Sequence, residues 1–200
     1  MIGKVNYSPS FQKQLKARAT IQRYNEPEEC YIYELSQEKD SKYFEKYLKL
    51  PVWDEAVYVD VFDMHIKDKE DKEHIYVMET AQKELLGMLQ VNDDDKYGEY
   101  QTIEYLATSP FYSTSNNFYR ERKYIGQTLL AFAVKNFDEK HTKGLCVPNP
   151  VSSAVDFYIK QCNFYPYDPD SAELIMHKKS FNKFLRKNEE KTQGGLELIG

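Results

Sequence analysis

Gly126 stands at the first turn of the strongest helical pattern in the chain, directly behind Arg120, Arg122 and Lys123. A strand ending near Thr108, a loop, and then a glycine at a helix start can turn unpaired backbone N–H groups toward an anion. The helix dipole adds to that preference. The segment Lys123-Tyr124-Ile125-Gly126-Gln127-Thr128 therefore reads as an anion cradle, with a plain turn or packing glycine as the alternative. It is neither a G-x-x-x-x-G-K-[ST] loop nor a G-x-G-x-x-G fingerprint.

Other chemistry is sparse. His65, His74, His141 and His177 are scattered without His-x-x-x-His or Cys pairing, so no metal site is expected. Asp93-Asp94-Asp95 lacks the pattern of a calcium loop and reads as a solvated hairpin tip. Cys30, Cys146 and Cys162 are three thiols at irregular spacing, which is neither a disulfide framework nor a zinc pattern. Reduced thiols in a cytoplasm are the expectation. The basic start has no apolar core of a secretory signal, and no apolar stretch approaches membrane-spanning length.

The elements that would hold the cradle come next. At 200 residues, with 41% hydrophobic and 30% charged side chains, the chain falls in the globular range. A net charge of −5 argues against nucleic acid as a partner and is compatible with a cationic amine. Residues 1–28 read as an N-terminal extension with a short helix around Phe11 and Leu15. Strands are expected over 30–35, 74–80, 84–91 and 100–108, the last three as an antiparallel meander around the acidic loop 92–99. An amphipathic helix is expected over 40–50, and a helix or loop over 54–73. A long loop spans 109–122. Ile125, Leu129, Ala133 and Phe137 recur every fourth residue, which predicts a helix over 123–140. A strand over 145–147, a helix over 152–162 capped by Ser152 or Ser153, a strand over 172–177 and a basic tail over 179–200 complete the chain. The strand–helix–strand step from 100 to 147 should be a right-handed parallel crossover. One α/β domain over 1–200 follows: a mixed, mainly antiparallel six- to seven-stranded sheet with helices on both faces.

This element order, with Lys123-x-x-Gly126-x-Thr128 and then Ala154-Val155-Asp156-Phe157-Tyr158-Ile159-Lys160-Gln161-Cys162-Asn163-Phe164, resembles the GCN5-related N-acetyltransferase (GNAT) superfamily over residues 30–178. That family carries [QR]-x-x-G-x-[GA] at the strand–helix junction and an A-x-x-F-Y-x-x-x-G-F-like block further on. Here Lys123 and Thr128 depart from the first signature, and Asn163 stands where the second has glycine. The resemblance implies that acetyl-CoA binds in a V-shaped opening beside the strand 100–108. Its pantetheine would run along Leu106, Ala107 and Thr108, with its pyrophosphate on the loop backbone around Lys123, Tyr124, Ile125, Gly126, Gln127 and Thr128, and with Arg122 among the cofactor-binding residues. Asn149 joins the residues expected around the cofactor. Tyr158 matches the family's proton donor to the leaving thiolate, and Glu104 would be a general base for the amine. Thr102, Glu104 and Leu106 should share one face of their strand. The implied activity is acetyl transfer to a primary amine of a small molecule or peptide by direct attack, in a protein that could pair as a homodimer. A GNAT-like binding protein without turnover, and an acyltransferase acting on a protein N-terminus or Lys, remain open.

Overall fold

The computed structural model describes residues 13–35, 73–93, 98–109 and 121–199. The helices expected over 40–50 and within 54–73, and residues 110–120 of the long loop, lie outside them.

Ten strands form one sheet: β1 (Gln14–Arg23), β2 (Glu26–Leu35), β3 (Glu73–Thr80), β4 (Leu85–Asn92), β5 (Tyr100–Thr108), β6 (Arg122–Lys123), β7 (Gly144–Val147), β8 (Tyr165–Pro166), β9 (Leu174–His177) and β10 (Leu196–Leu198). The order across the sheet is β10-β1-β2-β3-β4-β5-β7-β9-β8, with β6 paired to β1 off that path. All pairings are antiparallel except β5 with β7. The meander and the parallel crossover follow the sequence expectation, while the sheet has ten strands among the described residues where six or seven were expected.

Two of the extra strands come from the chain ends, and a third, β6, lies in mid-chain at the close of the segment read as a long loop. The stretch read as an extension holds β1, a ten-residue strand whose Ala17, Ala19 and Ile21 are buried and alternate with more exposed polar residues. The tail turns back as a strand: Leu196 to Leu198 pair with Ala19 to Ala17, and the Thr20 N–H donates to Gly195 O at 3.1 Å.

Two α-helices lie in the described part, α1 (Ile125–Lys135) and α2 (Phe181–Thr192). Ten consecutive residues of α1, Ile125 to Val134, are buried, so it sits inside the fold rather than on it. It stops at Lys135, short of the expected 140, with the Asn136 N–H closing on Phe132 O at 2.8 Å. Phe132 and Leu129 of α1, Phe181 and Phe184 of α2, and Ile21, Ile32, Leu89 and Ile103 of the sheet form one core cluster.

Residues 152–162 are not the capped α-helix the sequence suggested. A 3-10 turn (Ser152–Ala154) leads into a π-helical turn (Phe157–Gln161), and neither has a side-chain cap among the described residues. A π turn inserts one extra residue and is frequent beside functional sites. Here it keeps Tyr158 and Cys162 inside the core.

Candidate active site

β5 and β7 pair over only three residues, Tyr100 with Gly144, Gln101 with Leu145 and Thr102 with Cys146. Beyond that point β5 runs on to Thr108 against β4, while β7 pairs with β9. The parallel ladder therefore opens in mid-strand.

Glu104 marks the opening. In the β4–β5 ladder Val91 faces Ile103 and Gln90 faces Tyr105, so Glu104 is the extra residue of a bulge. A bulge re-aims the side chains that follow it. Leu106 consequently packs with Ile103 against the main core, whereas Tyr100 belongs to a separate cluster with Cys146 and Ile175. Thr102, Glu104 and Leu106 thus do not share a face as expected, because one inserted residue reverses the alternation. Burial pushes the Cys146 thiol up to about 12, and the charges of Glu173 and Glu104 add to the effect.

At the other end of β5, the Ser109 N–H donates to Leu86 O at 2.8 Å. Gly87 opposite Thr108 admits the start of α1, since a Cβ there would lie 2.8 Å from Ala107 O and 3.0 Å from a methyl of Ile125. The chain enters α1 through β6 and then Tyr124, which adopts φ 70 and ψ 11, in the left-handed region that non-glycine residues rarely visit. The Thr128 N–H makes the first helical bond, to Tyr124 O at 2.9 Å. The amides of Ile125, Gly126 and Gln127 precede it and have no intrahelical acceptor. Among the described residues no side chain caps them, and no acidic residue lies in the first turn. Left-handed entry followed by uncapped amides forms a concave anion nest. A Cβ on Gly126 would meet Phe157 at 3.2 Å and Thr108 at 3.5 Å, so the end of β5, the start of α1 and the π turn converge there.

Several expected residues do other work. Arg122 is 3% exposed, and its guanidinium grips Glu28 through Nε (2.6 Å) and Nη2 (3.0 Å), with Glu84 at 3.1 Å from Nη1. That side chain anchors the junction to β2. Lys123 donates to Asn25 Oδ1 at 2.7 Å. Gln127 offers its amide N–H to Gln161 O at 3.1 Å, tying α1 to the π turn. Thr128 is fully buried, and its hydroxyl has no hydrogen-bond partner among the described residues. Asn149 is exposed in the segment after β7. Tyr158 is 5% exposed, its ring edge-on to Phe157 and Phe164. Asn163 adopts φ 62, and the Phe164 N–H bonds back to Tyr158 O at 3.1 Å. This turn needs a left-handed residue, and Asn is the usual substitute for Gly in that conformation.

Lys191 was not foreseen. Its ammonium lies 3.5 Å from Gln127 Oε1 and 5.6 Å from the Tyr124 ring centre, so α2 brings a cation to the first turn of α1. Burial lowers its pKa, and Lys187 lowers it further. Sixty-four residues separate it from Gln127, and no local pattern could have signalled it.

No protein-family model matches the sequence, and no match was found among curated proteins. The fold has solved counterparts. A tyrosine-to-phenylalanine mutant of KacT overlays with TM-score 0.55 at 16% identity, covering 81% of this chain and 99% of that one. The KacTA–DNA complex gives TM-score 0.50 at 18% identity over 69% and 89%. The spermidine/spermine N-acetyltransferase SpeG from Vibrio cholerae gives 0.47 at 14% identity over 77% and 98%.

The complex with DNA corrects the expectation that nucleic acid is excluded as a partner. That expectation rested on net charge, which sums over all faces and does not describe any one of them. Among the described residues no helix is long and apolar enough to cross a membrane. Opened parallel ladder, bulged β5 and anion nest are thus carried on the fold shared by the GNAT acetyltransferases.

Proposed function

We propose that this protein transfers the acetyl group of acetyl-CoA to a primary amine by direct attack. The observation that carries the reading is the opening of β5 from β7 after Thr102, with the anion nest of Tyr124 to Gln127 at its end. Pantetheine would lie along Leu106, Ala107 and Thr108. The pyrophosphate would take the uncapped amides, with the Lys191 ammonium nearby. Glu104, at the bulge, would accept the amine proton directly or through water. The amine nitrogen attacks the thioester carbonyl, whose oxygen draws on backbone N–H groups of β5. The C–S bond then breaks, and the CoA thiolate takes the phenol proton of Tyr158. Three unpaired buried cysteines support a reducing compartment, the cytoplasm.

Calorimetry with acetyl-CoA, with CoA as competitor, tests the cofactor site. A Kd in the low micromolar range, about −8 kcal/mol, is expected, with Lys191→Ala weakening it about tenfold. Absence of binding at millimolar cofactor refutes the reading. Turnover is then measured on a polyamine, a Lys-containing peptide and an aminoacyl-tRNA, and Tyr158→Phe should lower kcat by about 100-fold or more with Kd unchanged.

A further inference from the structure

At the far end of β5 from the anion nest, the connection between α1 and β7 folds back beneath the end of β4. His141 in that connection is 1% exposed, and its Nε2 is buried without a hydrogen-bond partner among the described residues. This nitrogen lies 4.0 Å from Asp93 Oδ1. One donor atom each from Asp93, Asp138 and His141 falls within 4.8 Å of the others. Gln101, 4% exposed, donates its amide N–H to the same Asp93 Oδ1 at 2.6 Å, and its Oε1 is likewise buried with no partner among the described residues. An imidazole nitrogen and an amide oxygen are therefore both orphaned beside one carboxylate. Each orphan is costly to bury if nothing pairs with it.

Positive charge already gathers at this corner. The Lys140 ammonium sits 3.0 Å from Asp138 Oδ2 and 3.7 Å from Asp93 Oδ2, spanning the two carboxylates, and its side chain is 49% exposed. It can swing into solvent and leave the carboxylates to another cation. Asp93 is also held from behind, with His74 Nε2 at 3.2 Å from Oδ2 and His74 Nδ1 at 2.9 Å from Glu34. Hydrogen-bonded support of this kind is what orients a ligating carboxylate.

We propose that Asp93, Asp138 and His141 bind one Zn²⁺ ion, which fastens the α1–β7 connection to the end of β4. An imidazole with two carboxylates is a borderline N/O donor set that suits zinc. Gln101 Oε1 or a water takes the fourth position. Bonds of about 2.1 Å in a tetrahedron put donors about 3.4 Å apart. The Asp93–His141 pair would close by about 0.6 Å, within reach of side-chain rotation. The site is structural: it lies about 20 Å along β5 from Thr108, taking about 3.4 Å per residue from Thr102. It needs no acyl chemistry.

Chelator-stripped full-length protein is titrated with Zn²⁺ by calorimetry, and Co²⁺ uptake is followed by visible absorption. One ion per chain is expected, with Kd below about 1 μM and a raised Tm. Asp138→Asn should weaken binding at least about tenfold, His141→Ala should do so and alter the Co²⁺ spectrum, and Lys140→Ala should tighten binding. Asp138 and Lys140 are surface side chains, so those two variants keep the test decisive if His141→Ala does not fold. Uptake that is absent below about 100 μM, or identical in wild type and Asp138→Asn, overturns the proposal and leaves an ordered water between the orphaned atoms.

Discussion

Arg122→Met separates two roles for a residue next to the anion nest. The sequence places this cation among the cofactor's ligands, but the structure commits its guanidinium to Glu28, with bonds of 2.6 and 3.0 Å, and to Glu84 at 3.1 Å. Arg122 is 3% exposed and the Glu28 side chain 16%. Removing one partner of a buried pair costs about 3–5 kcal/mol, because the other charge stays behind without its counterion. Glu28 would keep Arg23 at 3.8 Å, a long and more exposed contact, so the lower end, about 3 kcal/mol, is expected. At roughly 2–4 °C per kcal/mol for a chain of this size, Tm should fall by about 6–12 °C. Glu28→Gln in the Arg122→Met background should recover part of the loss, giving a coupling of about 2 kcal/mol in the double-mutant cycle. Guanidinium chloride unfolding of the four proteins measures it, and acetyl-CoA calorimetry on the folded variants should show Kd within about threefold of wild type, under 1 kcal/mol. An unchanged Tm together with a Kd raised more than about tenfold, 1.4 kcal/mol, would refute the buried-clamp reasoning and return Arg122 to the phosphates.

Gly144→Ala should abolish stable folding, with a cost above about 4 kcal/mol: φ is 145, and a Cβ would lie 2.1 Å from Met176 O, so soluble yield and Tm are the readouts. Burial pushes the thiols of Cys146 and Cys162 up to about 12, and Cys30 also upward. Deprotonation happens only above that value, so at pH 8 the native protein should react with a thiol reagent slowly and release three thiols at once in denaturant; a fast native thiol would contradict this. Ending the chain at Gln193 removes β10, the burial of Leu196 and the acceptor of Lys135 Nζ, and should cost about 2–4 kcal/mol in chemical unfolding. Asn163→Gly should be neutral or slightly stabilising, while Asn163→Val at φ 62 should lose about 1–2 kcal/mol, measured as ΔTm between the two.

The parts of the fold legible in the sequence are those whose pattern is local and strongly apolar. Ile75 and Val77 of β3 and the repeat from Ile125 to Ala133 announce themselves through spacing. β1 escaped because its buried positions include two alanines, Ala17 and Ala19, among Lys16, Arg18 and Arg23, which weakens the alternating signal. Its stability comes from long-range pairing with β2 and with β10 at the opposite end of the chain. The Glu104 bulge carries no glycine or proline to advertise it, and a period of two assumed across it gives wrong faces for everything downstream. Arg122 and Lys191 show the same limit for the site: charge and proximity to a motif suggested one, and only the packing of α2 against α1 disclosed the other.

The departures from the GNAT signatures take on a different weight once backbone angles are known. At the glycine position of the second signature the demand is on φ, and Asn163 meets it at φ 62 while keeping the bond from Phe164 to Tyr158. Lys123 and Thr128 replace side chains at a place where the proposed cofactor contacts are made by the backbone. The nest is made by the left-handed turn at Tyr124 and the uncapped amides after it, and the nearby cation comes from Lys191. Thr128 turns its hydroxyl into the core, with Oγ1 buried, so its bulk is not added to the nest. The three substitutions are therefore compatible with a working cofactor site. The decisive residue is Tyr158, which packs edge-on to Phe157 and Phe164. In an acetyltransferase that burial is desolvation of a proton donor beside a thiolate; in a binding protein the phenol serves no chemical step, and Tyr158→Phe would leave ligand affinity in place.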